Sequence, residues 1–137
     1  MATTAQKSVY IEGIGRRKTA TARVRLTPAN ATTIVVNSKP HTEYFKHAAL
    51  QQAFGAVLDT KDAGITNYTI TVKVMGGGLS AQADAVKLGI ARALVAEKGD
   101  RRTTLKKEGY LKRDPRSVER KKFGLRKARK RPAWSKR

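Results

Sequence analysis

Three features of this 137-residue sequence predict an α+β fold, a two-layer βββαβα domain followed by a long extended basic C-terminal tail. Apolar and polar residues alternate strictly over 20–27 and again over 68–74, as in strands with one buried face. Elsewhere apolar residues recur at helical spacing, so helices cover one side of a single sheet and the other side stays open. Charge divides along the chain. The first hundred residues hold 13 Lys/Arg and 7 Asp/Glu, a net +6, whereas the last thirty-seven hold 17 and 3, a net +14. The expected organisation is therefore a globular α/β domain over 1–108 and a tail over 109–137.

In chain order, Val9 to Ile14 is rich in β-formers and leads to Gly15 and the triplet Arg16-Arg17-Lys18. Ala20, Ala22, Val24 and Leu26 then share one strand face, with Thr21, Arg23, Arg25 and Thr27 on the other. Pro28-Ala29-Asn30 is the turn. Thr33 to Asn37 reads as a third short strand ended by Lys39-Pro40, and brief connections predict an antiparallel start to the sheet. Phe45, Ala49, Ala53 and Val57 predict a helix over 42–58 with Thr42 as N-cap. After a loop over 59–67, Tyr68, Ile70, Val72 and Val74 mark the clearest strand, which ends on Gly76-Gly77-Gly78. Leu79, Ala83, Val86, Ile90 and Leu94 face one way on a helix reaching Lys98. Gly89 inside it costs roughly 1 kcal/mol relative to Ala, which predicts a helix backbone lying close to the sheet. A short basic helix is expected over 103–108.

The net charge of +20 favours a polyanionic partner, nucleic acid before membrane. The tail has no apolar face of helical period, and no stretch approaches the roughly 20 apolar residues of a spanning helix. Without cysteine there is neither a disulfide framework nor a thiolate metal site. The residues before the first strand are too short and too polar for a secretory signal, and a cytoplasmic protein is expected.

Few residues carry catalytic chemistry. Gly76, Gly77, Gly78 and Ser80 sit at a strand-to-helix junction but match neither the P-loop nor the dinucleotide fingerprint. They are read either as a tight turn with close helix packing or as a candidate RNA-backbone contact. His41 and His47 have no ligand partner in the pattern, so neither metal nor cofactor is expected. Asp84 and Glu97 fall about 140° and roughly 20 Å apart on one helix, too far for an acid/base pair. The tail instead interleaves Tyr110, Phe123 and Trp134 with cations, as where bases stack between phosphate contacts. Tyr110 equally suits an anchor on the domain's own surface. An enzyme would bind nucleotide without the tail, and a nonspecific nucleic-acid chaperone would tolerate a scrambled tail.

Three motifs resemble those of the bacterial-type ninth protein of the small ribosomal subunit. Residues 13–24, GIGRRKTATARV, follow the family's opening motif. Residues 76–83, GGGLSAQA, open its strand-to-helix signature, which continues through Lys87, Gly89, Arg92 and Leu94. Val118-Glu119-Arg120-Lys121-Lys122 leads through Lys127-Ala128-Arg129 to Ser135-Lys136-Arg137. Ala81 stands where the family usually has Gly, the turn at 28–30 lacks a glycine, and Ala133-Trp134 replaces the usual Gln and Phe or Tyr.

The resemblance implies a structural constituent of the small-subunit head that binds 16S-type ribosomal RNA. It implies the fold of domain two of the subunit's fifth protein, with a left-handed crossover. The implied ribosomal-RNA contacts are Arg16, Arg17, Lys18, Arg23 and Arg25 in the domain. In the tail they are Arg116, Arg120, Lys121, Lys122, Arg126, Lys127, Arg129, Lys130 and Arg131. Ser135, Lys136 and Arg137 would meet the anticodon stem-loop of P-site transfer RNA. Neighbouring head proteins are further expected partners; a membrane and a second copy of the chain are not.

Overall fold

The computed structural model describes residues 9–60 and 64–136. Five strands, β1 (Ile11–Arg17), β2 (Ala20–Pro28), β3 (Thr33–Val36), β4 (Lys39–Pro40) and β5 (Tyr68–Met75), form one sheet in the order β1-β2-β5-β3-β4. Four helices, α1 (His41–Tyr44), α2 (Ala48–Leu58), α3 (Leu79–Glu97) and α4 (Arg101–Lys107), complete the regular structure of the described residues. Both alternating runs form strands as predicted. Ala20, Ala22, Val24 and Leu26 of β2 are buried beside Tyr68, Ile70, Val72 and Val74 of β5, and the intervening side chains face outward.

The expected antiparallel start holds for β1 and β2 but does not extend to β3. β1 pairs antiparallel with β2, but β5 lies between β2 and β3, and β3 runs parallel to β5. Apolar alternation fixes which face a strand buries, not which strand lies beside it. Here the connection after Pro28 is tied across the start of β5. Ala29 N donates to Asn67 O at 3.1 Å, and Asn67 Nδ2 donates to Asn30 O at 2.8 Å. Lys39-Pro40 does not end a strand but begins the return limb of a hairpin, with Asn37 and Ser38 at φ 48° and 67° in its turn. The Asn37 amide then pairs with both Val74 backbone groups at 2.9 Å, fastening that turn to β5.

The helix expected over 42–58 is two helices, and Thr42 does not cap either. Phe45 leaves helical geometry at φ −102°, ψ 89°, and His47 precedes α2. The break lets Phe45 enter the core against Phe54, their ring centroids 5.6 Å apart, while Gln51 Nε2 donates to the freed Phe45 carbonyl at 2.6 Å. The apolar face of α2 consequently turns to Leu50, Phe54 and Val57, and Ala49 is exposed.

β1 continues through Gly13 and Gly15 to Arg17, beyond the β-forming residues, because the two glycines are where α3 crosses it. A Cβ on Gly15 would lie 1.8 Å from Ala85 O, and one on Gly13 2.4 Å from Gly89 O. From the other side, a Cβ on Gly89 would lie 2.6 Å from Val24 Cγ2. These approaches confirm the predicted closeness of helix and sheet, and they bury α3 on most of its circumference. Leu79 at its first turn is exposed.

α4 starts at Arg101, two residues before the expected Thr103, because Arg101 is a core residue only 3% exposed. Its Nη1 donates to Glu97 Oε2 at 2.5 Å and to Tyr68 OH at 3.2 Å, and its Nη2 donates to Gly64 O at 3.0 Å. The Tyr68 hydroxyl also donates to Glu97. Burial pushes the Glu97 carboxyl up, but the Tyr68 and Arg101 hydrogen bonds outweigh it and hold the group below its ordinary value.

Candidate nucleic-acid interface

Register places the outward side chains of three strands in rows. Glu12, Arg25 and Thr71 form one row, Ile14, Arg23 and Lys73 the next, and Arg16, Thr21 and Met75 the third. The α2 and α3 core lies behind this face. Arg23, Arg25, Lys73 and Met75 border a shallow groove of about 420 Å³ with Val35 and Asn37 on its far wall.

Glu12 organises the two arginines. Arg23 Nε donates to Glu12 Oε1 at 2.5 Å and Arg25 Nε to Oε2 at 3.4 Å, while the Arg25 guanidinium lies 4.4 Å from the Tyr10 ring centroid. The Arg23 hydrogen bond is the main reason the Glu12 carboxyl lies below its ordinary value. Only the Nε of each is engaged by the carboxylate, so one glutamate presets two forked guanidinium donors. Lys18, at φ 52° in the β1–β2 turn, and Arg16 are both exposed.

Arg17 points the opposite way from Arg16, as strand alternation requires. Its side chain is 13% exposed and lies between Asp84 of α3, at 3.5 Å from Nε, and Asp114, at 3.1 Å from Nη2. Nη1 donates to the Arg116 carbonyl at 2.5 Å. Asp114 also accepts from Arg116, through its side chain first and its backbone N–H second. Those bonds, with the Arg17 charge, hold the Asp114 carboxyl far below the usual carboxylate range.

Gly76 and Gly77 take φ 77° and 61°, and a Cβ on Gly76 would lie 2.6 Å from Thr19 O. Both glycines are therefore needed by the turn itself. Gln82 Nε2 reaches back to Gly76 O at 3.0 Å and Gln82 N donates to Gly78 O at 2.9 Å. Ala81, buried, closes over Gly77. Gly78 and Ser80 are exposed at the start of α3.

After α4, Tyr110 and Leu111 pack against the core, so Tyr110 anchors the chain on the domain's own surface. From Arg113 to Lys136 there is neither helix nor strand. Arg116, Arg120, Lys121, Arg126, Lys127, Arg129, Lys130 and Arg131 are exposed, and Lys122 is half-buried. Glu119 gathers a local loop: Arg129 donates to it twice, at 2.9 and 2.5 Å, and Lys122 lies 3.5 Å away. The Arg129 bonds bring the Glu119 carboxyl down to about 2. Phe123 and Trp134 are 98% and 87% exposed. Ser135 and Lys136 are exposed, and Arg137 lies outside the described residues.

Sequence reasoning missed the four carboxylates, Glu12, Asp84, Asp114 and Glu119, that position these cations. Asp114 and Glu119 are the sole acidic residues after Glu108, and that scarcity was the available signal. Asp84 and Glu97 engage separate partners, as their spacing required. His41 Nδ1 lies 3.3 Å from Ile34 O, with its ring edge-on to Phe54. Among the described residues no group of side chains could hold a metal, and no helix is long and apolar enough to cross a membrane.

These features define a class: a small basic α+β protein with cations preset on an open sheet face and along an irregular C-terminal segment. The chain belongs to the ribosomal protein S9/S16 family, whose model matches residues 15–137. It is 54% identical over 136 residues to the small ribosomal subunit protein uS9 of Gloeothece citriformis, covering 98% of this chain and 96% of the relative. The proteins of the same name from Synechococcus sp. (strain JA-3-3Ab) and Synechocystis sp. (strain ATCC 27184) are 51% and 54% identical. The first comparison covers 99% of this chain and 98% of the relative, the second 91% and 90%. The family is structural and non-enzymatic.

Proposed function

We propose that the chain is a structural constituent of the small ribosomal subunit head that binds 16S-type ribosomal RNA and contacts P-site transfer RNA with its C-terminal end. One observation carries this reading: the stretch 113–136, without helix or strand, holds ten exposed cations and two exposed aromatic rings. Such a segment repels itself in water and gains affinity from each phosphate it neutralises, through counterion release. Names of the relatives, all small-subunit proteins, support the assembly.

In this reading residues 1–108 are the docking domain, with the fold of domain two of the subunit's fifth protein, and 109–137 are an extended tail. Arg16, Lys18, Arg23 and Arg25 meet RNA backbone, and Arg17 supports that surface from behind. Arg116, Arg120, Lys121, Lys122, Arg126, Lys127, Arg129, Lys130 and Arg131 line the tail's path, with Phe123 and Trp134 stacking on unpaired bases. Gly78 and Ser80 lie beside the backbone, on the Gly76–Gly77 turn. Ser135, Lys136 and Arg137 read phosphate and shape at the anticodon stem-loop, which suits any transfer RNA. Neighbouring head proteins complete the setting.

Removing Ser135 to Arg137 separates the two halves of the claim. The truncated protein is expected to enter the subunit normally and to weaken retention of P-site transfer RNA in filter-binding assays. Failure to enter the subunit would place the end of the chain in assembly instead.

A further inference from the structure

The last two residues of β1, the second and third turns of α3 and residues of the stretch 110–116 border a cleft of about 260 Å³. Six basic residues border it, against the carboxylates Asp84 and Asp114. Those carboxylates are spoken for. Arg17 bridges them: Nε and Nη2 lie at ion-pair distance from Asp84 and Asp114, and Nη1 donates to the Arg116 carbonyl. Lys87 shares Asp84 at 3.8 Å, and Arg116 shares Asp114 at 2.9 Å. Arg16, Lys112 and Arg113 have no carboxylate within ion-pair distance among the described residues, although all three border the same cleft.

We propose that this cleft is a docking site for one RNA phosphodiester group, taken by Arg16, Lys112 and Arg113, and that Arg17 holds its walls together instead of binding the phosphate. Asp84 belongs to the folded body and Asp114 to the segment that leaves it, so the Arg17 bridge also fixes the direction in which that segment departs. A guanidinium neutralised by two carboxylates releases little counterion on meeting a phosphate, whereas three cations at the border of one cleft, with no carboxylate at ion-pair distance among the described residues, release several. The cleft is lined by charged residues apart from Leu88 and Tyr110, which suits an anionic group of a backbone better than a planar base. The inference rests on the RNA-binding reading above.

The chain contains no cysteine, so paired spin labels can be placed without background. Labels at Thr71→Cys and Val118→Cys report the distance from the sheet to the departing segment in the full chain. A transcript of 16S-type head RNA reports the slope of log K against log salt. Arg16→Gln and Arg113→Gln should each reduce that slope by about one, with label distances unchanged. Arg17→Gln removes the same charge but should leave the slope nearly unaltered and broaden the distance distribution. Asp114→Asn keeps every cation and should broaden it likewise, and circular dichroism verifies that each variant is folded.

A full-unit loss of slope for Arg17→Gln with unchanged distances would make Arg17 an ordinary phosphate contact and overturn its assigned role. An unchanged slope for both Arg16→Gln and Arg113→Gln, against a steep parent, would overturn the phosphate site while leaving the RNA reading intact. A flat parent slope would sink the RNA reading and the site with it.

Discussion

At the scale of single residues, the glycines divide into those that make room and those that do not. Gly89→Ala drives a methyl into Val24 Cγ2 at 2.6 Å, and Gly15→Ala drives one into the Ala85 carbonyl at 1.8 Å. Overpacking of this kind costs about 1–3 kcal/mol, and Gly15 belongs at the upper end because it meets backbone, which cannot rotate away. Gly55, inside α2, has nothing within 4 Å of an added Cβ. Gly55→Ala should therefore stabilise by up to about 1 kcal/mol through helix propensity. Urea titration of the three variants tests the contrast. Gly89 was legible because a glycine within a clear helical period needs a packing reason. Gly13 and Gly15 were not, since they interrupt the β-forming run and made the strand seem to end at Ile14. Extending the strand to Arg17 is what reveals that Arg16 and Arg17 face opposite sides. A pattern of charges alone groups them together.

Among elements, the two alternating strands and α3 follow from sequence because each buries one continuous apolar face. The divided helix between β4 and β5 does not, since Phe45 fits the helical period yet reaches Phe54 only if the helix breaks after Tyr44. The order of strands escaped for a similar reason: it depends on Asn67 and Asn37, polar residues whose side chains tie loops to β5. The joint of α3, α4 and β5 rests on Arg101, Glu97 and Tyr68. Arg101→Met should cost about 3 kcal/mol at neutral pH, because it leaves the Glu97 charge poorly solvated without its partner. Acid should shrink that cost by neutralising the carboxyl. In the parent, Glu97 binds its proton less readily folded than unfolded. Its contribution to stability is therefore full above the ordinary carboxyl value of 4.5 and is lost as pH falls below it. Denaturation midpoints between pH 7 and pH 3 give both trends.

For the molecule as a whole, the asymmetry of charge was readable from the first count and points to a polyanion. What the count could not supply is how carboxylates distribute that charge. Glu12 presets two arginines on the open sheet, Asp84 and Asp114 occupy Arg17, and Glu119 folds Arg129 and Lys122 into a local loop. The remaining cations of the C-terminal segment up to Lys136 face solvent. Scrambling residues 112–136 at constant composition should retain gross RNA affinity but lose incorporation into the subunit head, as measured by mass spectrometry of purified subunits. The central claim is that this segment reads phosphates. Its most direct test is the affinity of the full chain for 16S-type head RNA measured between 50 and 200 mM salt. Engagement of six or more phosphates predicts a fall of roughly a thousandfold or more over that range. A change of less than about tenfold would contradict it.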